Sequence, residues 1–408
     1  MKRLLLLLSV MFVLLAAVSC ADTDTTADRE TNAPATTAEN VITTTNFDEE
    51  TTAPAVTTED PALQLDFSLT NDGQGYIIVG IGSYSQSDLI IPATYQDKPV
   101  VSIGNYAFTE CTSLSSVTVS EGIREIGELA FAYCEGLERV ILPDTLMKIG
   151  TRAFEGCVSL EAVTLPDALA EIEASVFQGC ISLIEVTLGS GVVRIGKSAF
   201  GECMSLGGIH FPKGFSELDA TAFAGCISLA AITVDESNPL YCSVGNCLIN
   251  RESKTLVFGC KESCIPDDGS VTVIGEDAFW ECGGLEQITV PATVEVITDG
   301  AFFRCINLKT VDIEEGVQSI GAFAFGDCES LQSVTLPESL STIGTGTFAG
   351  CAAIATIVIP ERVTEIGEDA FLACSNLVIH CRAESQPEGW NEAWNSTNCA
   401  VVWDWADQ

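Results

Sequence analysis

Hydrophobic and polar positions along most of this chain repeat with a fixed step. The stretch from Ile149 to Pro166 shows the pattern, I-G-x-x-A-F-x-x-C-x-x-L-x-x-V-x-L-P. Its Phe recurs at Phe108, Phe131, Phe154, Phe177, Phe200 and Phe223, then at Phe279, Phe302, Phe325, Phe348 and Phe371, with a step of 23 residues inside each block. A Cys follows each Phe three positions later, from Cys111 to Cys226 and from Cys282 to Cys374. Strict phase at a period in the twenties predicts a solenoid, in which a single unit cannot bury its apolar face and neighbours share one core.

Within a unit, L-x-x-V-x-L predicts a strand whose Val and Leu point inward, because strand side chains alternate. The segment I-G-x-x-A-F predicts the return side, with Gly permitting a tight backbone turn and Ala-Phe on a short helical turn. Val176 stands in place of the Ala, and Glu173, Asp219 and Thr298 in place of the Gly, which predicts looser turns there.

These residues, I-G-x-x-A-F-x-x-C-x-S-L-x-x-V-x-L-P, resemble the BspA-like branch of the leucine-rich-repeat proteins, over roughly Leu63 to Trp405. The resemblance implies a mainly β repeat solenoid with short helical or 3-10 turns and with N- and C-terminal caps. Family members are typically bacterial or protist surface proteins, some of them adhesins. A surface-anchored binding protein is therefore the expected function. A structural envelope or self-assembly protein is the alternative.

The ends follow other patterns. Lys2 and Arg3 precede an apolar run from Leu4 to Val18, a signal-peptide pattern over residues 1–19 that is too short for a comfortable membrane span. Ala17-Val18-Ser19-Cys20 resembles the lipobox of bacterial lipoproteins, which implies lipid attachment at Cys20 and a membrane-anchored surface location; secretion after an ordinary signal peptide is the other reading. Residues 20–61 are rich in Thr, Ala, Asp and Glu with almost nothing to bury, which predicts a disordered tether. In residues 62–102, alternation at Leu65, Phe67 and Leu69, a turn at Asn71-Asp72-Gly73 and a second run from Tyr76 to Ile81 predict a hairpin in an N-terminal β cap.

The solenoid is expected over residues 103–380. Between Cys226 and Cys282 the step grows to 56 residues, which predicts one enlarged coil over residues 227–281 with an extra hairpin and a second contact surface. Residues 381–408 hold four of the five Trp, together with Cys399. They are expected to form a C-terminal cap, an aromatic carbohydrate platform being the alternative.

Charge and chemistry narrow the function. With 57 acidic against 18 basic residues the formal charge is −39, which argues against nucleic acid and against attraction of the folded body to anionic membranes. The membrane contact expected is the N-terminal lipid alone. Of 18 Cys, eleven share one repeat position and are expected to be buried free thiols acting as small apolar groups. Cys242, Cys247, Cys260, Cys264, Cys381 and Cys399 are the better disulfide candidates, Cys381 with Cys399 in particular.

Cys260 and Cys264 lack a second ligand pair of metal spacing, and His210 and His380 are the only histidines, so neither metal nor cofactor is expected. No nucleophile pairs with a His and an acid. Acid pairs such as Glu314-Glu315 read as solvated turn charge, so no enzyme is expected.

The remaining candidate surface is the sheet of stacked strands. Positions facing out of it that break its Thr and small-residue monotony are Arg139, Ile141, Glu185, His210, Asp312 and Val358. With Thr187, Thr233, Gln287, Thr289, Thr310 and Thr335 they form the candidate partner-binding face. Thr also simply suits exposed strands. A flat polar lattice fits an extended extracellular protein or glycan, not a small substrate needing a concave apolar pocket.

Overall fold

The structure, a computed structural model, describes residues 63–406. The expected signal peptide, Cys20 and the tether lie outside the described residues. Among the described residues the chain winds into a β-solenoid of about 14 turns, without an α-helix.

Each coil contributes to two parallel ladders. One is the expected strand ladder, for example Ser116–Val119, Arg139–Ile141, Ala162–Thr164 and Glu185–Thr187 in one sheet. The other is a ladder of two-residue strands on the return side, such as Glu125–Ile126 beside Lys148–Ile149. Val and Leu of the first ladder and Ile of the second point into one lumen.

The lumen is filled by stacked rings. Phe131 and Phe154 lie 5.2 Å apart at 3°, and Phe154 and Phe177 5.4 Å apart at 6°. Phe258 of the enlarged coil adds a further ring, 5.0 Å from Phe223. Large rings at van der Waals spacing supply most of the apolar area that each coil hides from water.

The expected helical turn at Ala-Phe is not formed. The residue two before the Phe has positive φ at every repeat but that of Phe223, as at Tyr106 (61°) and Arg152 (60°), which a right-handed helix does not tolerate. The Phe N–H is also committed elsewhere, donating to the Ala carbonyl of the next coil, as Phe131 does to Ala153 at 2.8 Å. The motif Gly is not a left-handed turn residue either. Gly150 sits so close to the preceding coil that a Cβ would lie 2.6 Å from the Glu128 nitrogen. It is there for close approach. Of the three substituted positions, Asp219 and Thr298 keep the ladder bond, their N–H groups donating to Ile195 and Ile274 at 3.0 Å. The return ladder is interrupted between Lys148–Ile149 and Glu171–Ile172, beside Glu173, and again after Glu217–Leu218, where the enlarged coil begins.

The hairpin expected near the start is present. Asp66–Leu69 pairs antiparallel with Tyr76–Gly80, which pairs in turn with Lys98–Ile103 and joins the return ladder. At the other end Trp390 and Trp394 are buried. Trp394 stands edge-on to Phe371 at 5.9 Å, and the Trp390 indole N–H donates to the Val363 carbonyl at 3.0 Å.

In the enlarged coil, Tyr241–Val244, Cys247–Asn250 and Thr255–Phe258 form an antiparallel meander. Its last strand pairs parallel with Val273–Ile274 and so re-enters the return ladder. Neither ladder is continuous across the enlarged coil, since Glu217–Leu218 is not paired with the meander. Ala231–Val234 and Gln287–Val290 belong to different sheets.

Candidate functional site

The candidate face is built as alternation requires. Arg139, Ile141, Glu185, Thr187, His210, Thr233, Gln287, Thr289, Thr310, Asp312 and Thr335 are all exposed on the strand ladder, and Val358 is half-buried. In-register pairing lines them up in columns: Gln287 beside Thr310, Thr289 beside Asp312, Asp312 beside Thr335, His210 beside Thr233. The His210 Nδ1 lies 3.0 Å from the Thr233 hydroxyl, so one edge of that imidazole is already engaged.

Four of the twelve meet at a groove. Gln287, Thr289, Thr310 and Asp312 form the floor of a groove of about 670 Å³. Its wall is Ser263–Asp267, the part of the enlarged coil that runs beside the face without strand pairing. Arg139, Ile141, Glu185, Thr187, His210 and Thr233 belong to the strands before the enlarged coil, on open sheet. Thr335 and Val358 lie beyond the groove on the other side.

Sequence reasoning missed the wall, and with it Asp267 and the exposed Cys264. It also missed Pro291 and Glu314 at the floor's end. The signal available was negative, the loss of L-x-x-V-x-L between Phe258 and Val273. Glu314, read as turn charge, accepts the Ala292 N–H at 3.0 Å and turns toward the groove. The groove's charge is of one sign: Asp267, Asp312 and Glu314 line it, with no basic side chain among the lining residues.

The thiols sort by position. The repeat Cys from Cys134 to Cys226 and from Cys305 to Cys374 are buried and free. Burial pushes Cys134, Cys180 and Cys226 up to about 12, and Cys157 and Cys203 well above the ordinary value. Such groups stay protonated and unreactive at neutral pH. The candidate pair Cys381 and Cys399 is not joined; the Cys399 thiol donates to the Cys374 carbonyl at 3.3 Å. Cys260, a disulfide candidate, is a buried free thiol directed toward the Asn246 carbonyl at 3.7 Å, whereas Cys264 is free and exposed.

A solenoid with an apolar lumen, an exposed lattice of strand side chains and a groove across it defines a leucine-rich-repeat scaffold, a fold that is typically a non-catalytic binding platform. The family model described as BspA type Leucine rich repeat region matches in six copies over residues 97–237 and 260–379, and the chain belongs to that family. No curated protein matches it. Among solved structures, it is similar to a leucine rich cell surface protein from Faecalibacterium prausnitzii, at 26% identity and a TM-score of 0.56, covering 83% of this chain and 93% of that one. It also shares its fold with the pneumococcal vaccine antigen PcpA, at 22% identity and a TM-score of 0.58, over 84% of this chain and 86% of that one. A leucine-rich repeat protein from Bacteroides ovatus shares the fold as well, at 24% identity and a TM-score of 0.54, over 83% and 98%.

Proposed function

We propose that this chain is a non-catalytic cell-surface binding protein that presents its strand face to an extracellular protein or glycan. In this reading Cys20 carries a lipid anchor, and residues 20–61 tether the solenoid away from the membrane. The hairpin before Ile103 and the Trp-rich segment after His380 cap its two ends. The observation that carries the proposal is the groove, because it is where the enlarged coil turns a flat lattice into a shaped surface at Gln287, Thr289, Thr310 and Asp312. The likeness to a protein named as a leucine rich cell surface protein supports the location.

The test is retention of the full-length protein on arrays of immobilised extracellular proteins and glycans, followed by Asp312→Ala, Glu185→Ala and His210→Ala. A ligand whose retention falls with Asp312→Ala, at unchanged thermal stability, supports the reading. Retention unaffected by all three variants would sink the strand face as the site.

Self-assembly is the second reading, favoured by one observation. Ile181, Met204 and Ile227 occupy the same position on successive coils and are each more than 40% exposed, an apolar row that a second copy could cover. Sedimentation at rising concentration tests it. A monomer throughout removes it.

A further inference from the structure

The groove has a feature that its side chains alone do not reveal. Gln287–Val290 is an edge strand: it pairs with Thr310–Ile313 on one side only. On the other side runs the groove, and among the described residues no backbone hydrogen bond reaches Gln287–Val290 from there. The side chain of Ile288 is buried, yet Ile288 lines the groove, so it does so with its backbone. An unpaired strand edge is a ready template for another extended chain.

The chemistry beside that edge is selective. Asp312 and Asp267 have no hydrogen-bond or ion-pair partner among the described residues, and Glu314 stands near them at the floor's end. The half-buried Pro266 supplies an apolar flank on which the stem of a long cationic side chain can lie while its charged head reaches an acid. No aromatic ring lines the groove, so the stacking that sugar recognition commonly uses is missing.

From these observations we propose that the groove binds an extended, Lys- or Arg-bearing polypeptide segment, which adds as a strand along Gln287–Val290 and places its cations against Asp267, Asp312 and Glu314. This rests on the strand-face reading above and names the partner class for it. A peptide satisfies both demands of the site, backbone donors and acceptors in register and alternate side chains of positive charge. A glycan satisfies neither.

The experiment must separate groove binding from the attraction that a net charge of −39 exerts on any polycation. The probes are a labelled peptide alternating Thr and Lys, its Thr-Glu counterpart, two forms of the first N-methylated on all Thr or on all Lys, and a neutral oligosaccharide. The proteins are the full-length chain, the double variant Asp267→Asn with Asp312→Asn, and Glu135→Gln as a control at an exposed turn off the strand face, all checked for unchanged melting.

The Thr-Lys peptide is expected to bind saturably. The double variant should weaken it about tenfold or more, and Glu135→Gln should leave it unchanged. One of the two N-methylated forms should lose binding, because alternate amides face the edge. Equal binding to the double variant, or equal binding of both N-methylated forms, overturns the inference. So does oligosaccharide binding that the double variant abolishes. If the Thr-Lys peptide fails while an array ligand is lost with Asp312→Ala, the polypeptide inference falls and the strand-face reading stands.

Discussion

The thiol of Cys157 donates to the carbonyl oxygen of Phe131, 3.2 Å away and one coil back. The same bond joins Cys134 to Phe108, Cys180 to Phe154, Cys203 to Phe177 and Cys226 to Phe200, and it resumes from Cys305 to Cys374. The repeat Cys is therefore more than a small apolar filler. Its S–H gives a second donor to a buried carbonyl that already accepts an N–H, as Phe131 does from Cys134, and it ties successive coils together in the lumen.

These thiols make stability fall at alkaline pH. Burial raises Cys180 from 9.0 to about 12. The unfolded chain then loses that proton before the folded one does. The stabilisation from keeping the thiol neutral is complete below pH 9 and is lost as pH rises toward 12, with a slope of up to about 1.4 kcal/mol per pH unit for each such group. Urea midpoints measured at pH 8, 9 and 10 should decline across the series. The decline should be shallower in Cys180→Ala with Cys328→Ala, which removes two of the raised groups. Identical slopes in variant and parent would contradict the assignment.

Cys264 should behave as the opposite kind of thiol. It is exposed on the groove wall, whereas nine of the eleven repeat thiols are buried. In the native protein at pH 8, a maleimide should label Cys264 fast, the half-buried Cys111, Cys242, Cys282 and Cys399 slowly, and the nine buried repeat Cys only after denaturation. Mass mapping of the adducts reads this order. A partner seated in the groove should slow labelling at Cys264 and leave Cys242 unchanged.

Much of this architecture is legible in the chain itself, and the parts that are not have definite causes. Phe154, Cys157, Leu160 and Val163 occupy a strict 23-residue step, and every one of them is buried. The return ladder was invisible because its strands, such as Glu125–Ile126, are two residues long and show no alternation to detect. Its outward column runs Glu125, Lys148, Glu171, Arg194, Glu217, with Lys148 bound to Glu125 at 2.9 Å and Arg194 bridging Glu171 and Glu217. That alternation of sign is written in the sequence, but only the ladder shows that these residues touch. Phe258 was missed because it stands out of phase with the repeat. The groove escaped for the same reason: where the motif lapses, spacing no longer says where Ser263–Asp267 runs.

Gly150 and Gly207 should respond oppositely to the same substitution. A Cβ at Gly150 would meet the Glu128 backbone nitrogen at 2.6 Å, so Gly150→Ala must push two coils apart. Displacement of packed backbone costs roughly 1–3 kcal/mol. A Cβ at Gly207 has nothing within 4 Å, and its φ is an ordinary one, so Gly207→Ala should be neutral or stabilise by about 0.4–1 kcal/mol through the unfolded chain. Urea midpoints of the pair decide it. A Gly150→Ala variant as stable as its parent would mean that the coils are not in contact there.

Phe154 tests the stacked lumen most directly. Its ring is fully buried between Phe131 and Phe177, at 5.2 and 5.4 Å. Phe154→Ala removes both stacking contacts and leaves a cavity that the flanking coils can close only by shortening the solenoid, which their paired backbones resist. The expected cost is about 3–5 kcal/mol. Because each coil contacts chiefly its neighbours, the loss should be local. Amide exchange should accelerate in the coils holding Phe131, Phe154 and Phe177 and stay near parental rates around Phe348. Uniform acceleration across all coils would mean that the solenoid unfolds as one unit rather than as a sum of neighbours, and an unchanged melt would place the Phe154 ring outside the lumen.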